Sequence, residues 1–244
     1  MAYSKRFYLA LHEGSIRSAR EVAPIIHSLL KGKSVADVGC GVGSWLLAFQ
    51  EQGIHDYLGI DHPRVQKEII IPPEKFYPHD LTRPLRLNRK FDIAISLEVA
   101  EHLPKTAASI FVETLTRLSD QIVFSAAIPH SGGHHHINEQ WPTYWAALFK
   151  KRGYLVIDPF RRALWNNENV EWWYAQNMLC FIKKSLLEKN EKLSREKALT
   201  FESQISLVHP KRYLVLAKPV ELVKRIVPYP IRKAAHKIIE RIVK

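Results

Sequence analysis

Apolar and polar residues change rhythm at residue 34. Before it, Ala19, Val22, Ile25, Ile26, Leu29 and Leu30 recur at helical spacing. One or two short helices are therefore expected over residues 7–30, with Gly32 as the stop. After it come short apolar runs of strand length, each followed by glycine, a carboxylate or a helical stretch. Strands are predicted at 34–38, 57–60, 76–79, 91–96, 121–128, 154–158 and 178–182. Helices are predicted at 44–51, about 105–118 and 142–152, the last stopped by Gly153. Strands alternating with helices imply crossover units and a mainly parallel, doubly wound α/β sheet. Such a sheet binds ligands at the carboxyl ends of its strands. The unusual polar residues fall at those ends: Asp61, Asp80, Glu98 and the stretch after Ile128.

Composition changes this picture in one respect. Of 244 residues, 46% are hydrophobic and 25% charged, as in an ordinary soluble domain. The net charge of +12 is unevenly placed: residues 183–244 hold 16 Lys and Arg against 6 Asp and Glu, and residues 1–182 hold 20 against 18. The nearly neutral body argues against nucleic acid as a partner, and the charge acts through the tail. Two domains are expected, a body over 1–182 and a basic, largely helical extension over 183–244. In the extension Ile231, Ala234, Ala235, Ile238, Ile239 and Ile242 recur at helical spacing among basic residues. A basic amphipathic helix fits peripheral contact with an anionic membrane, or docking on the body or on a second copy in a homodimer. No run of about 18 apolar residues and no signal segment is seen. The two cysteines, Cys40 and Cys180, lie in apolar segments and form no disulfide framework, so a cytoplasmic protein is expected.

The first strand runs straight into Asp37-Val38-Gly39-Cys40-Gly41-Val42-Gly43. Alternate glycines let the backbone turn tightly and approach a ligand closely. The spacing is Gly-x-Gly-x-Gly, and the dinucleotide fingerprint is Gly-x-Gly-x-x-Gly. An acidic residue two positions before the first glycine and a second one, Asp61, ending strand two complete a set that resembles motif I and its partner in class I S-adenosylmethionine-dependent methyltransferases. The resemblance covers about residues 17–182. It implies a seven-stranded sheet with an antiparallel last strand and an acceptor bound over strands four and five. It implies S-adenosylmethionine as cofactor, held by Asp37, Gly39, Cys40, Gly41 and Gly43, with Leu81 and Leu97 also in the site. Asp61 would hold the ribose hydroxyls and Asp80 the adenine amino group. For Asp80 a turn or cap role is the competing reading. The runs Ser96–Pro104 and Gly133–Trp141 look like those of uncharacterised bacterial enzymes linked to surface-glycan synthesis.

Glu98, Glu101 and His102 are spaced i, i+3, i+4, which on a helical turn puts them on one face. Two carboxylates and an imidazole suit Mg²⁺ or Mn²⁺. A fourth ligand could come from His134, His135 or His136. The cluster resembles that of ubiquinone-pathway O-methyltransferases and of small-RNA 3′-end methyltransferases, and the latter comparison picks His136. Without a metal, His102 or His136 would be the catalytic base. The competing reading makes the glutamates exposed helix residues and His102 a cap.

Trp141, Tyr144, Trp145, Trp165, Trp172, Trp173 and Tyr174 offer faces for a sugar, base or quinone, or pack the core; at least one of 172–174 should point away from the core. Asn138 and Gln140 are candidates for acceptor hydrogen bonds. Residues 14–18 could close over the cofactor, with Arg17 paired to its carboxylate or simply exposed. The expected function is O-methylation of a sugar hydroxyl on a glycan or lipid-linked glycan. The alternatives are a quinone or secondary-metabolite methyltransferase, an RNA 2′-O-methyltransferase, and a non-catalytic adenosyl-binding protein.

Overall fold

The computed structural model describes residues 5–217. The chain divides into one compact unit through Leu207 and a second from Val208. The first unit opens with helix α1 (Lys5–Leu30), followed by β1 (Ser34–Val38), α2 (Ser44–Glu51), β2 (Asp56–Asp61), β3 (Phe76–Pro78) and β4 (Ile93–Leu97). Then come α3 (Ala108–Leu118), β5 (Gln121–Ser125), α4 (Pro142–Lys150), β6 (Tyr154–Ile157), α5 (Arg161–Leu164), α6 (Trp172–Asn177) and β7 (Leu179–Lys183). Two short helices, α7 (Lys184–Leu187) and α8 (Glu191–Ala198), follow. In the second unit the backbone is helical over 210–217, with Tyr213, Leu214 and Val215 exposed. The amphipathic run at 231–242 lies outside the described residues. No helix among the described residues is long and apolar enough to cross a membrane.

The seven strands form one sheet in the order β3-β2-β1-β4-β5-β7-β6. The first five are parallel, and β7 runs antiparallel to both β5 and β6. This is the doubly wound Rossmann-like sheet, with the antiparallel seventh strand, expected from the sequence. The strand order reverses between β1 and β4, which opens a crevice at their carboxyl ends.

The sheet is buried on both faces because residues alternate between two cores. Val35, Ile93, Ile95, Val123 and Cys180 face α1 and α2, where Val22, Ile26, Leu46 and Phe49 meet them. Ala36, Ala94, Ile122, Phe124 and Phe181 face α3 and α4, meeting Phe111, Leu115, Trp145 and Phe149. The Phe149 and Phe181 rings stack at 4.0 Å. α1 is one helix despite Pro24, because the buried stripe of Ala19, Val22, Ala23 and Ile26 runs past it. β5 ends at Ser125, three residues short of expectation; Ala126–Ile128 stay buried but leave the ladder. Leu187 and Leu193 enter the first core and Ile205 the second, so residues 184–205 pack on the sheet body.

Candidate active site

A cavity of about 630 Å³ lies over the carboxyl ends of β1, β2, β3, β4 and β5. The sheet order sets what each part of it contains. Asp80 and Leu81 follow β3, Asp61 ends β2, and the glycine turn follows β1. Leu97 to His102 follow β4, and Ser131 to His136 follow β5. Asp37, Gly39, Cys40, Gly41, Asp61, Asp80, Leu81, Leu97, Glu98, Glu101, His102 and His136 all line this cavity, and Gly43 does not.

The three glycines of the turn do different work. Gly39 has φ +86°, and a Cβ there would sit 2.4 Å from Val99 Cγ2, so both conformation and packing demand glycine. Gly43, at φ +99°, is pinned by Ile71, 2.7 Å from where its Cβ would be; it shapes the start of α2 and is not a wall of the cavity. Gly41, at φ +54°, lines the cavity, and nothing lies within 4 Å of its Cβ position. That empty position is where a ligand can approach the backbone.

The acidic residues of this half are held by backbone donors. Gly41 N–H donates to Asp61 Oδ2 at 2.8 Å and His62 N–H to Oδ1 at 2.6 Å. Burial still raises the Asp61 carboxyl above its usual range, against these two bonds. Asp37 is buried behind it, and burial followed by the Asp61 charge pushes its carboxyl well up. Two neighbouring acids thus share this end of the cavity, both with carboxyls raised chiefly by burial. Asp80 shows the turn role: Thr82 donates to Oδ1 from N at 3.0 Å and from Oγ1 at 2.7 Å, and Arg83 lies 3.4 Å from Oδ2. It lines the cavity as well, so the two readings coexist in one residue.

The chemistry-bearing cluster stands at β4 and β5. Glu101, His102 and His136 each place a ligand atom within 4.8 Å of the others. Glu101 is fully buried, with the Glu98 side chain and the backbone of Glu101 and Ala127 against its carboxyl group. Burial first, then the Glu98 charge, pushes its carboxyl well above the usual range. A buried carboxyl beside two imidazoles is a donor set that fits a divalent cation. The backbone builds the cluster: Glu101 O accepts from Ile137 N at 2.9 Å and Asn138 N at 3.0 Å, which draws the loop after β5 onto the turn after β4. The His102 and His136 rings meet edge to face at 4.8 Å. Burial, then His136, lowers His102 to about 4, so it is a neutral imidazole at neutral pH.

Glu98 does not share a helical face with Glu101 and His102. It has φ +56°, and a 3-10 turn begins only at Ala100, so the i, i+3, i+4 argument does not apply there. Asn177 Nδ2 donates to both Glu98 oxygens at 3.2 Å, and Gln176 braces Asn177 at 2.8 Å. Glu98 therefore lines the cavity beside the cluster, its carboxyl raised to about 7 chiefly by burial. Nothing in the sequence near Asn177 pointed to this contact, since the residue sits just before an apolar strand.

Other expectations resolve by packing. Trp172, Trp173 and Tyr174 all line the cavity, Tyr174 bonding Ser15 Oγ at 3.2 Å. Trp145 is core, and Trp141 is 41% exposed away from the cavity wall. Arg17 does not reach the cavity: it binds Glu171 Oε1 at 2.6 Å and Asn169 O at 3.1 Å. Asn138 is buried, donating to Ala100 O at 3.4 Å and accepting from Gln140 at 3.1 Å, so both residues brace the loop and neither faces the cavity. His62, Arg64, Thr82 and Ser131 also line the cavity and carried no sequence signal.

Residues 14–190 match the family model described as a methyltransferase domain. Among solved structures, Streptomyces venezuelae DesVI is similar with a TM-score of 0.58 and 14% identity, over 72% of this chain and 95% of that one. Human N-acetylserotonin methyltransferase, solved with S-adenosylmethionine, has a TM-score of 0.54 and 16% identity, over 73% of this chain and 55% of that one. The methyltransferase domain of bacterial CtHen1-C has a TM-score of 0.51 and 20% identity, over 68% and 97%. This chain thus spans about half the length of the human enzyme. At these identities the likeness is one of fold. No curated protein matches the chain in sequence.

Proposed function

The chain belongs to the methyltransferase-domain family, and from that premise we propose that it is a metal-assisted O-methyltransferase acting on a sugar hydroxyl of a glycan or lipid-linked glycan. The single observation behind the metal is the buried Glu101 carboxyl grouped with His102 and His136, their ligand atoms within 4.8 Å of one another.

S-adenosylmethionine supplies an electrophilic methyl group on a sulfonium, and a bound Mg²⁺ or Mn²⁺ supplies Lewis acidity that lowers a hydroxyl pKa. The chain's own residues fit both. Asp61 offers its remaining lone pairs to ribose hydroxyls, Gly41 leaves backbone open to close approach, and Leu81 and Leu97 give apolar walls. On this reading the adenosine end lies over β2 and β3 and the reacting end over β4 and β5, an arrangement the sheet order accommodates. There Glu101, His102 and His136 would hold the cation, leaving coordination positions for acceptor oxygens. His102, neutral and a weak base, suits a ligand better than a general base. With the cofactor and acceptor bound, a cavity carboxylate such as Glu98, or water, would take the acceptor's hydroxyl proton. Catalysis is then chiefly positioning.

The sugar assignment rests on Trp172 and Trp173, which offer ring faces in the same cavity, and on hydroxyl activation at the cluster. The test is incubation with labelled S-adenosylmethionine and glycan acceptors, with and without a chelator. Label in the glycan that disappears with chelator supports the reading. Label transferred only to another acceptor class, or unaffected by chelation, overturns it.

A further inference from the structure

One residue beside the cluster has no part in the reading above. Glu139 Oε1 lies 3.0 Å from His136 Nδ1, and both side chains are largely buried, at 18% and 15% exposure. An ionised carboxylate only accepts hydrogen bonds, so the imidazole must carry its proton on Nδ1. That leaves the Nε2 lone pair free. Gly133 fixes where this end of the ring lies: a Cβ on Gly133 would fall 2.3 Å from His136 Nε2, so only glycine lets the ring sit there. The backbone of 137 and 138 is meanwhile tied to Glu101 O. His136 is thus held at Nδ1 by Glu139, over its ring face by Gly133, and through the next two residues, whose backbone is tied to the Glu101 carbonyl.

We propose that Glu139 is a positioning residue: it locks the Nδ1–H tautomer of His136 and presents Nε2 as a ligand toward Glu101 and His102. A histidine ligand whose second nitrogen donates to a carboxylate has a fixed ring and a more basic ligating nitrogen. The inference rests on the metal reading of the cluster, but its first consequence concerns the metal-free protein.

Two measurements separate the possibilities. Side-chain ¹⁵N NMR of the metal-free protein, with His136 assigned from its absence in His136→Asn, should show the Nδ1–H tautomer, and Glu139→Ala should lose that preference. An Nε2–H ring in the wild type overturns the proposal whatever the metal does. Calorimetric titration with Mn²⁺ should show binding weakened about 10- to 100-fold in Glu139→Ala. Recovery is expected in Glu139→Asp, and Glu139→Gln, which keeps shape without charge, should stay weak. Equal Mn²⁺ affinity in wild type and Glu139→Ala overturns the positioning role. No Mn²⁺ binding in the wild type, with the Nδ1–H tautomer intact, defeats the metal reading while leaving Glu139's grip on His136 standing.

Discussion

The backbone N–H of Gly41 donates to the Asp61 carboxylate at 2.8 Å, joining the turn after β1 to the end of β2. The carboxylate proposed to receive a ribose therefore also sets the loop proposed to approach the cofactor. Asp61→Ala should remove both. A hydrogen bond to a charged group contributes about 1.5–3 kcal/mol, so S-adenosylmethionine affinity should fall about 10- to 100-fold by calorimetry. Affinity within twofold of wild type would mean that Asp61 does not contact the cofactor.

Gly39 and Gly41 should separate folding from binding. Each has positive φ, which costs an alanine about 1–2 kcal/mol. Gly39→Ala also collides with Val99, adding about 1–3 kcal/mol, and its thermal midpoint should drop markedly. Gly41→Ala meets nothing within 4 Å and should stay folded while losing cofactor affinity, because its methyl enters the cavity. Equal midpoints with unequal binding in the reverse order would contradict this.

The clasp between α1 and the segment before α6 should govern cofactor exchange. Arg17 and Ser18 both bind Glu171, whose neighbours Trp172–Tyr174 wall the cavity. Arg17 is half exposed, so its ion pair is worth under about 1 kcal/mol of stability. Arg17→Ala should leave the thermal midpoint nearly unchanged and release S-adenosylhomocysteine several-fold faster in stopped-flow fluorescence. An unchanged release rate would show the clasp to be static.

The pH dependence of stability should change sign with metal. Burial raises Glu98 from 4.5 to about 7 and lifts Glu101 still further from its ordinary value. Both carboxyls bind protons more tightly folded than unfolded. The Glu98 contribution is full below about 4.5 and is lost as pH rises through about 7, and that of Glu101 is lost in the same direction. The metal-free thermal midpoint should carry a downward component over that window. Mn²⁺ binding should strengthen over the same window, because the cation displaces the Glu101 proton. Mn²⁺ stabilisation that is flat or falls with rising pH would place the ion elsewhere.

The fold was legible because its signals are local and redundant. Seven short apolar runs, one glycine turn and Asp61 fix strand order and cofactor end together. The edges were read less well where burial continues beyond the ladder, as at Ala126–Ile128. At the site, Glu101 and His102 were legible from type and spacing, and His136 was picked from three neighbouring histidines by the resemblance to small-RNA 3′-end methyltransferases. Glu98 was misplaced because its left-handed backbone, invisible in a spacing rule, takes it off the assumed helix and into the grip of Asn177, 79 residues away. Gly43 was read as a ligand contact because a turn glycine and a packing glycine look alike until Ile71 is seen against it. Asn138 and Gln140 look like acceptor contacts in sequence, yet they bond to each other and to Ala100.

The central claim is that one cavity joins the cofactor's adenosine end at Asp61 to a cation cluster at Glu101, His102 and His136. A crystal structure with S-adenosylhomocysteine and Mn²⁺, read at the manganese absorption edge, tests it most directly. The account predicts ribose hydroxyls on Asp61, an anomalous peak bonded to Glu101, His102 and His136, and the cofactor sulfur pointing at that peak. A sulfur directed away from the cluster, or manganese bound only elsewhere, would contradict it.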